Sequence, residues 1–405
     1  MRAARTRHDR RSSLFRSVYL PRSVDGAAFA MTTYGIPLIV VATTGSAALT
    51  GLAFALEWLP RLVAFTVAGS LVGRHGIARV FRAACAGRSL AVLLAALLLA
   101  VPAFGVPAAV AVMALAPVSG FLTECSYIAA ETAGGEASRA AGGRAHRVQS
   151  VLLGIDQTAT LAGPLVSGLL LEYGGPALML STLAALSLLA AALLPHQQKT
   201  QRADRQGSSG IRAGWGTLRA LPALAWLVGG LLLSNTAIAL LQAAMPVIVV
   251  TELGRSSADA GLIWSAAALT SLLAITAARR AIDRWGLWPV GAIAAAIAAA
   301  ATLAIAQADT YRGYLVLVAV LMAGEGGLTV VLRTLRSHLI PPETFASTLS
   351  LTILLLLLPF PAAGLLIAAL PPGQIGRAVT VTALVQALGL AAAFARLRTL
   401  RTTPA

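Results

Sequence analysis

Residues 49–82 read LTGLAFALEWLPRLVAFTVAGSLVGRHGIARVFR. From Leu49 to Val72 the stretch is apolar or small, apart from one acid and one base, Glu57 and Arg61. Then the character changes within four residues. Gly73, Arg74, His75 and Gly76 follow, and Arg79 and Arg82 come next. At 1.5 Å per residue the apolar part reaches about 36 Å as a helix, enough to cross a hydrocarbon core of about 30 Å. Backbone in lipid must satisfy its own hydrogen bonds, which leaves a helix or a closed barrel. The stretch shows none of the alternation a barrel strand needs, so it reads as a transmembrane helix ending in a basic cytoplasmic turn.

The same pattern recurs along the chain. Apolar windows lie near 23–46, 49–72, 84–105, 107–130, 148–172, 176–195, 221–248, 258–278, 286–307, 313–332, 345–369 and 378–397, twelve in all. Hydrophobic residues make up 58% of the 405, and charged ones only 11%. Soluble domains carry roughly 25% charged residues, so a soluble globule and a disordered chain are both excluded. The fold class is all-α: a polytopic membrane protein of twelve helices.

Charge placement sets the orientation. The net charge is +16, which in a soluble protein would suggest nucleic acid. Here 27 of the 31 Lys and Arg fall in segments that lie on one side if the N-terminus is inside, and Arg88 is counted among those loop residues. Arg255, Arg312 and Arg377 fall in the outer loops, and Arg61 falls inside a span. The positive-inside rule then places both termini in the cytoplasm and the protein in the cytoplasmic membrane. Nucleic acid is not an expected partner. The first 22 residues carry seven arginines, and the following apolar run is too long for a signal-peptide core, so it reads as a retained first helix.

The longest polar stretch, His196–Arg219, separates six windows from six. It divides the chain into a six-helix bundle at 1–195, a cytoplasmic linker at 196–220 and a second bundle at 221–405. An internal echo supports two repeated halves: Gly73-Arg74-His75-Gly76 matches Asp283-Arg284-Trp285-Gly286, and Gly120-Phe121-Leu122-Thr123 matches Gly326-Gly327-Leu328-Thr329. Cys85 and Cys125 are too few for a disulfide framework. The five histidines lie apart in polar segments, so no metal site is expected.

Two motifs carry a family resemblance. After the second window the chain reads Gly69-Ser70-Leu71-Val72-Gly73-Arg74-His75-Gly76, then Arg79 and Arg82. This resembles the Gly-x-x-x-Asp-Arg-x-Gly loop of the major facilitator superfamily, and the resemblance extends over nearly the whole chain. Gly73 replaces the Asp that in the family helps lock the cytoplasmic side, whereas the second half keeps Asp283 beside Arg284 and Gly286. The glycines are expected to allow a tight turn and close helix approach. In the fifth window, Ala159-Thr160-Leu161-Ala162-Gly163-Pro164-Leu165-Val166-Ser167-Gly168 is similar to the glycine-rich stretch of the superfamily's exporters. The alternative is an ordinary Gly-Pro kink. Asp25, Thr43-Thr44-Gly45-Ser46 and Leu59-Pro60 resemble the drug and siderophore exporter branches.

Charges within the membrane cost about 2.5–3.5 kcal/mol each on insertion scales, so each is a functional candidate. Glu325 lies among Gly324, Gly326 and Gly327, which would leave room beside the carboxylate for backbone, water or ligand. It reads as a proton site, a cation contact or a structural hydrogen bond to a neighbouring helix. Asp156 lies in the fifth window and would line the cavity or bind the eighth helix. Asp25 reads as a helix cap, a partner of a loop arginine or a coupling site. Glu124, near the cytoplasmic end of the fourth window, would be water-exposed or functional. Glu57 and Arg61 are spaced as an i,i+4 ion pair: an internal salt bridge, an outer gate or a site for a zwitterionic substrate. Asn235 and Gln242 share a helix face and would line the cavity. Tyr34, Trp58 and Trp264 would stack on a substrate or simply pack. Gln386 is expected to tie helices together.

No phosphate loop and no His-Glu-x-x-His occurs, so neither ATP hydrolysis nor zinc proteolysis is expected, and no cofactor is implied. The resemblance implies secondary active transport, with proton-coupled efflux of a small drug-like molecule or metabolite by a monomer. A siderophore exporter, a small-molecule importer and a non-transporting receptor or assembly protein remain alternatives.

Overall fold

The computed structural model describes residues 14–100, 108–141, 145–194, 211–341 and 344–400. Among these residues the regular structure is helical, without a strand. In chain order the helices are α1 (Leu20–Thr44, after a π-helical turn Phe15–Tyr19), α2 (Ala47–His75), α3 (Ile77–Ala100), α4 (Ala108–Ala140) and α5 (Ala145–Leu193). Then come α6 (Ile211–Ala220), α7 (Pro222–Val247), α8 (Ser257–Trp285), α9 (Leu287–Ile305) and α10 (Tyr311–Leu339). The last are α11 (Phe345–Leu357), α12 (Pro359–Ala369) and α13 (Ile375–Leu400).

Eleven helical stretches among the described residues are long and apolar enough to cross a membrane, α11 and α12 together forming one of them. The longest covers Arg147–Leu193, 47 residues of α5. It is interrupted at Gly175, whose φ of 69° and ψ of −177° are not helical. Only glycine adopts that conformation readily, and Pro176 then supplies the fixed φ that suits a helix start. α5 is therefore two arms, and the eleven stretches provide the twelve expected spans. Their outer faces carry exposed leucines and valines, such as Leu90, Leu94 and Leu97 of α3, as lipid contact requires.

The chain forms two compact units, residues 1–49, 56–204 and 256–261 in one and 50–55, 205–255 and 262–405 in the other. In the first, α1 packs on α5 and α3 packs on α4 and α5. Small residues permit the close approach. A side chain at Gly163 would collide with Ala30, and one at Gly26 would touch Ala159 at 3.4 Å. In the second unit, α9 packs on α10, and α13 packs on α7 and α9.

The echo in sequence is an echo in shape. Gly76 ends α2 with φ 85° and ψ 150°, and Gly286 precedes α9 with φ 85° and ψ 165°. Each amide donates back to the helix at 2.8 Å, to Val72 and Ile282 respectively. Gly69 and Gly73 are different. They lie inside α2 with open space where a Cβ would stand, so of the first-half glycines only Gly76 makes the turn. The second echo also recurs as packing. Gly120 of α4 abuts the backbone carbonyl of Glu57, and a Cβ at Gly326 of α10 would meet the carbonyl of Ser271 at 2.7 Å.

Two boundaries move. The fourth span continues as helix to Ala140, which puts Glu124 in the middle of α4 and buries it, rather than near a wet end. The first part of the expected linker, 196–210, lies outside the described residues. Its last ten residues are α6, packed on α11 with a Cβ position at Gly214 only 2.5 Å from the Ser347 carbonyl.

Candidate functional site

The polar groups of the first unit sit on two helix faces. Arg22, Asp25, Phe29 and Thr33 follow one another on α1 at spacings of three and four, so they form one stripe. Gly120, Glu124, Tyr127 and Glu131 form the corresponding stripe on α4. Three arginines bind Asp25, Glu131 and the neighbouring acids Asp156 and Glu57, leaving Glu124 without an ion pair among the described residues.

Arg22 grips Asp156 with two hydrogen bonds, from Nε at 2.9 Å and Nη2 at 2.8 Å, and its Nη2 also reaches Glu131 at 2.7 Å. Its guanidinium lies 4.9 Å from the centre of the Tyr127 ring. The observed hydrogen bonds of Asp156 therefore run to α1 and not to the eighth span. Arg88 is fully buried in α3 and is not a loop residue. Its Nη2 donates to Asp25 at 2.6 Å, its Nε to Ser187 at 2.9 Å, and its Nη1 to Thr123 and Ser126, both at 3.3 Å. Ser126 and Cys85 also donate to the same Asp25 oxygen, at 3.0 and 3.5 Å. Asp25 lies inside α1, so it caps nothing, and its arginine partner comes from within the membrane.

Arg61 forms the third centre. It pairs with Glu57 one turn earlier, and its Nη2 also donates to Thr33 at 2.8 Å. Both side chains of the pair are fully buried. Its guanidinium lies 4.6 Å from the Trp58 ring and 4.9 Å from the Phe29 ring. Tyr34 stands half-buried on α1.

In the second unit a buried hydrogen-bonded chain links three helices. Gln386 of α13 donates to Ser234 of α7 at 2.7 Å, and Ser234 donates to Glu325 of α10. All three are buried. Among the described residues Glu325 has no ion-pair partner, unlike Asp25, Asp156 and Glu57. The glycines beside Glu325 do not open a space. A Cβ at Gly324 would meet the Ala298 amide at 2.7 Å, so neighbouring helices fill the room. Asn235 is occupied as well, donating at 2.7 Å to the Leu356 carbonyl in the last turn of α11. Gln242 lies two turns along α7, and its Oε1 is buried without a hydrogen bond. Trp264 is buried in α8. Of the motif residues, Gly163, Pro164 and Gly168 are buried in α5, whereas Arg74, Asp283, Arg284 and Gly286 are exposed at the turns.

Sequence reasoning missed Arg22, Arg88, Glu131, Thr33 and Ser234. A signal for Arg22 was present, because it stands three residues before Asp25 on the same face. Arg88 stands within the third apolar window, where a charge calls for a buried partner.

The sequence model described as Major Facilitator Superfamily matches residues 22–362. No curated protein sequence matches the chain. Among solved structures, a mutant of the nucleoside transporter NupG is similar at 12% identity and a TM-score of 0.73, covering 92% of this chain and 98% of that one. A bacterial homologue of the iron transporter ferroportin, in an inward-facing state, gives 14% and 0.70, with 94% and 97% covered. A bacterial homologue of the human lysosomal transporter Spinster, inward-facing and unoccupied, gives 14% and 0.68, with 98% and 99% covered. At such identities these likenesses establish the fold.

Proposed function

Because the chain belongs to the Major Facilitator Superfamily, and so is a multi-pass membrane transporter, we propose that it exports a small, partly apolar solute in exchange for protons. Its two halves would expose a central site alternately to each side of the cytoplasmic membrane, with both termini inside, and a monomer would suffice. The direction rests on the Gly163-Pro164 stretch of the exporter-like fifth span.

One observation carries the coupling assignment. Glu325 is a buried carboxylate whose hydrogen-bond donor is a neutral hydroxyl, Ser234. The charges of Asp25, Asp156 and Glu57 are already compensated by arginines. Glu325 can instead shed its charge by taking up a proton, and Ser234 can hydrogen-bond either form. Each inward elementary charge supplies about 2.3 kcal/mol per 100 mV of membrane potential. Glu124 is the second candidate, buried without an ion pair among the described residues.

The test is proton release from everted, respiring vesicles exposed to a panel of drugs, metabolites and siderophores. A compound that collapses the pH gradient in wild type but not in Glu325→Gln is the expected result. Undiminished proton release in Glu325→Gln would remove Glu325 from coupling. Solute accumulation without proton movement would remove proton exchange altogether.

A further inference from the structure

The three buried arginines are not used alike. Every nitrogen of Arg88 donates a hydrogen bond, as a structural clamp should. Arg61 is half-used. Its Nη2 serves both Glu57 and Thr33, while Nε and Nη1 are buried without a hydrogen bond, as is Oε2 of Glu57. Burying donors and an acceptor without partners is unfavourable, and a purely structural pair would have no reason to leave two donors and an acceptor on offer together.

We propose that the Glu57–Arg61 pair receives the charged head of a zwitterionic solute, its carboxylate accepting from Nη1 of Arg61 and its ammonium group at Oε2 of Glu57. A hydrogen bond from a guanidinium N–H to a carboxylate is charge-assisted and stronger than one between neutral groups. A plain anion is disfavoured because Glu57 stands beside the donors. A plain cation is disfavoured by Arg61. Glu124, on the α4 stripe whose Gly120 abuts Glu57, is a further acid close enough to feel the charge of Arg61. The rings of Trp58 and Phe29 fix the guanidinium and present an apolar wall. Arg61 lies midway along α2, about 20 Å from either end, which is out of reach of lipid headgroups. This assignment names the solute of the proposed exporter, and it rests on that reading only for the step of transport.

Binding is measured without a gradient, on the full chain in lipid nanodiscs, by thermal unfolding. The probes are leucine, phenylalanine and the dipeptide phenylalanyl-leucine, each beside its N-acetyl form and its C-terminal amide. At least one zwitterion is expected to bind about tenfold or more tightly than both blocked forms. That ratio should fall to about one in the double variant Glu57→Gln/Arg61→Gln, which removes both charges together and leaves neither uncompensated. Arg61→Lys, which keeps the charge but has no second nitrogen to serve a solute while the first serves Glu57, covers the case where the double variant fails to fold, and it too should lose the preference. An N-acetyl form that binds as well as its zwitterion overturns the class in favour of a simple anion. Probes that stabilise nothing, or a preference that survives these variants, overturn the site and leave a structural ion pair. Failed proton exchange in vesicles alongside intact zwitterion binding would sink the coupling reading and not this one.

Discussion

At Arg88 and Asp25 two charges lie fully buried in a single network of serines and a threonine. Removing one partner leaves the other charge without compensation. Arg88→Met should therefore destabilise the first unit by about 3–5 kcal/mol, whereas Asp25→Leu/Arg88→Met should recover most of that loss. Denaturant titration in mild detergent measures both, and a single variant as stable as the double one would show that the pair contributes nothing. The residue scale is also where sequence reading stopped short. Asp25, Glu57, Arg61 and Glu325 stand out because an apolar run makes any charge visible. The run does not say which partner neutralises each one, since Arg88 lies 63 positions from Asp25. Counting arginines by the nearest polar segment put Arg22 and Arg88 in the cytoplasm, although the burial of both demanded acids across helix contacts. Glu57 and Arg61 were legible as a pair because their partnership is local to one helix.

Helix against helix, glycine decides the spacing. Gly120 faces the carbonyl of Glu57 and Gly326 that of Ser271, and backbone cannot move aside as a flexible side chain can. Gly120→Val or Gly326→Val should cost at least about 1–3 kcal/mol through overpacking and lower the yield of monodisperse protein. Gly69→Ala and Gly73→Ala, in open positions of α2, should instead raise stability by up to about 1 kcal/mol through helix propensity. Fluorescence-detected size exclusion after graded heating ranks the four, and equal behaviour would refute the division. All spans were legible in the sequence because apolar length reports where lipid lies. It does not report where a helix ends. α4 continues beyond its apolar window through Glu131, Glu136 and Arg139 to Ala140, because polar residues leave the bilayer without breaking the hydrogen-bond ladder. α6 escaped notice for the same reason, being ten residues long and docked by one apolar edge, with Leu218 buried and Trp215 exposed beneath Arg219.

For the whole molecule, the break at Gly175 decides the parity of the chain. Between Arg74, in the last turn of α2, and Arg284, at the end of α8, the chain crosses the membrane six times if α5 is two arms and five times if it is one. Two arms put both turns on the same side, as the shared conformation of Gly76 and Gly286 requires for repeated halves. Charge agrees. Taking Arg22 and Arg88 out of the loops leaves 25 basic residues on the proposed inner side against Arg255, Arg312 and Arg377 on the outer. The two natural cysteines, Cys85 and Cys125, are buried, so the unaltered chain is a quiet background for thiol labelling. Arg74→Cys and Arg284→Cys should react with a membrane-impermeant maleimide only after permeabilisation, and Arg255→Cys and Arg377→Cys should react on intact cells, since all four positions are exposed. Labelling of the first pair from opposite sides would make α5 a single crossing and break the twofold plan. Labelling of both from outside would invert the protein.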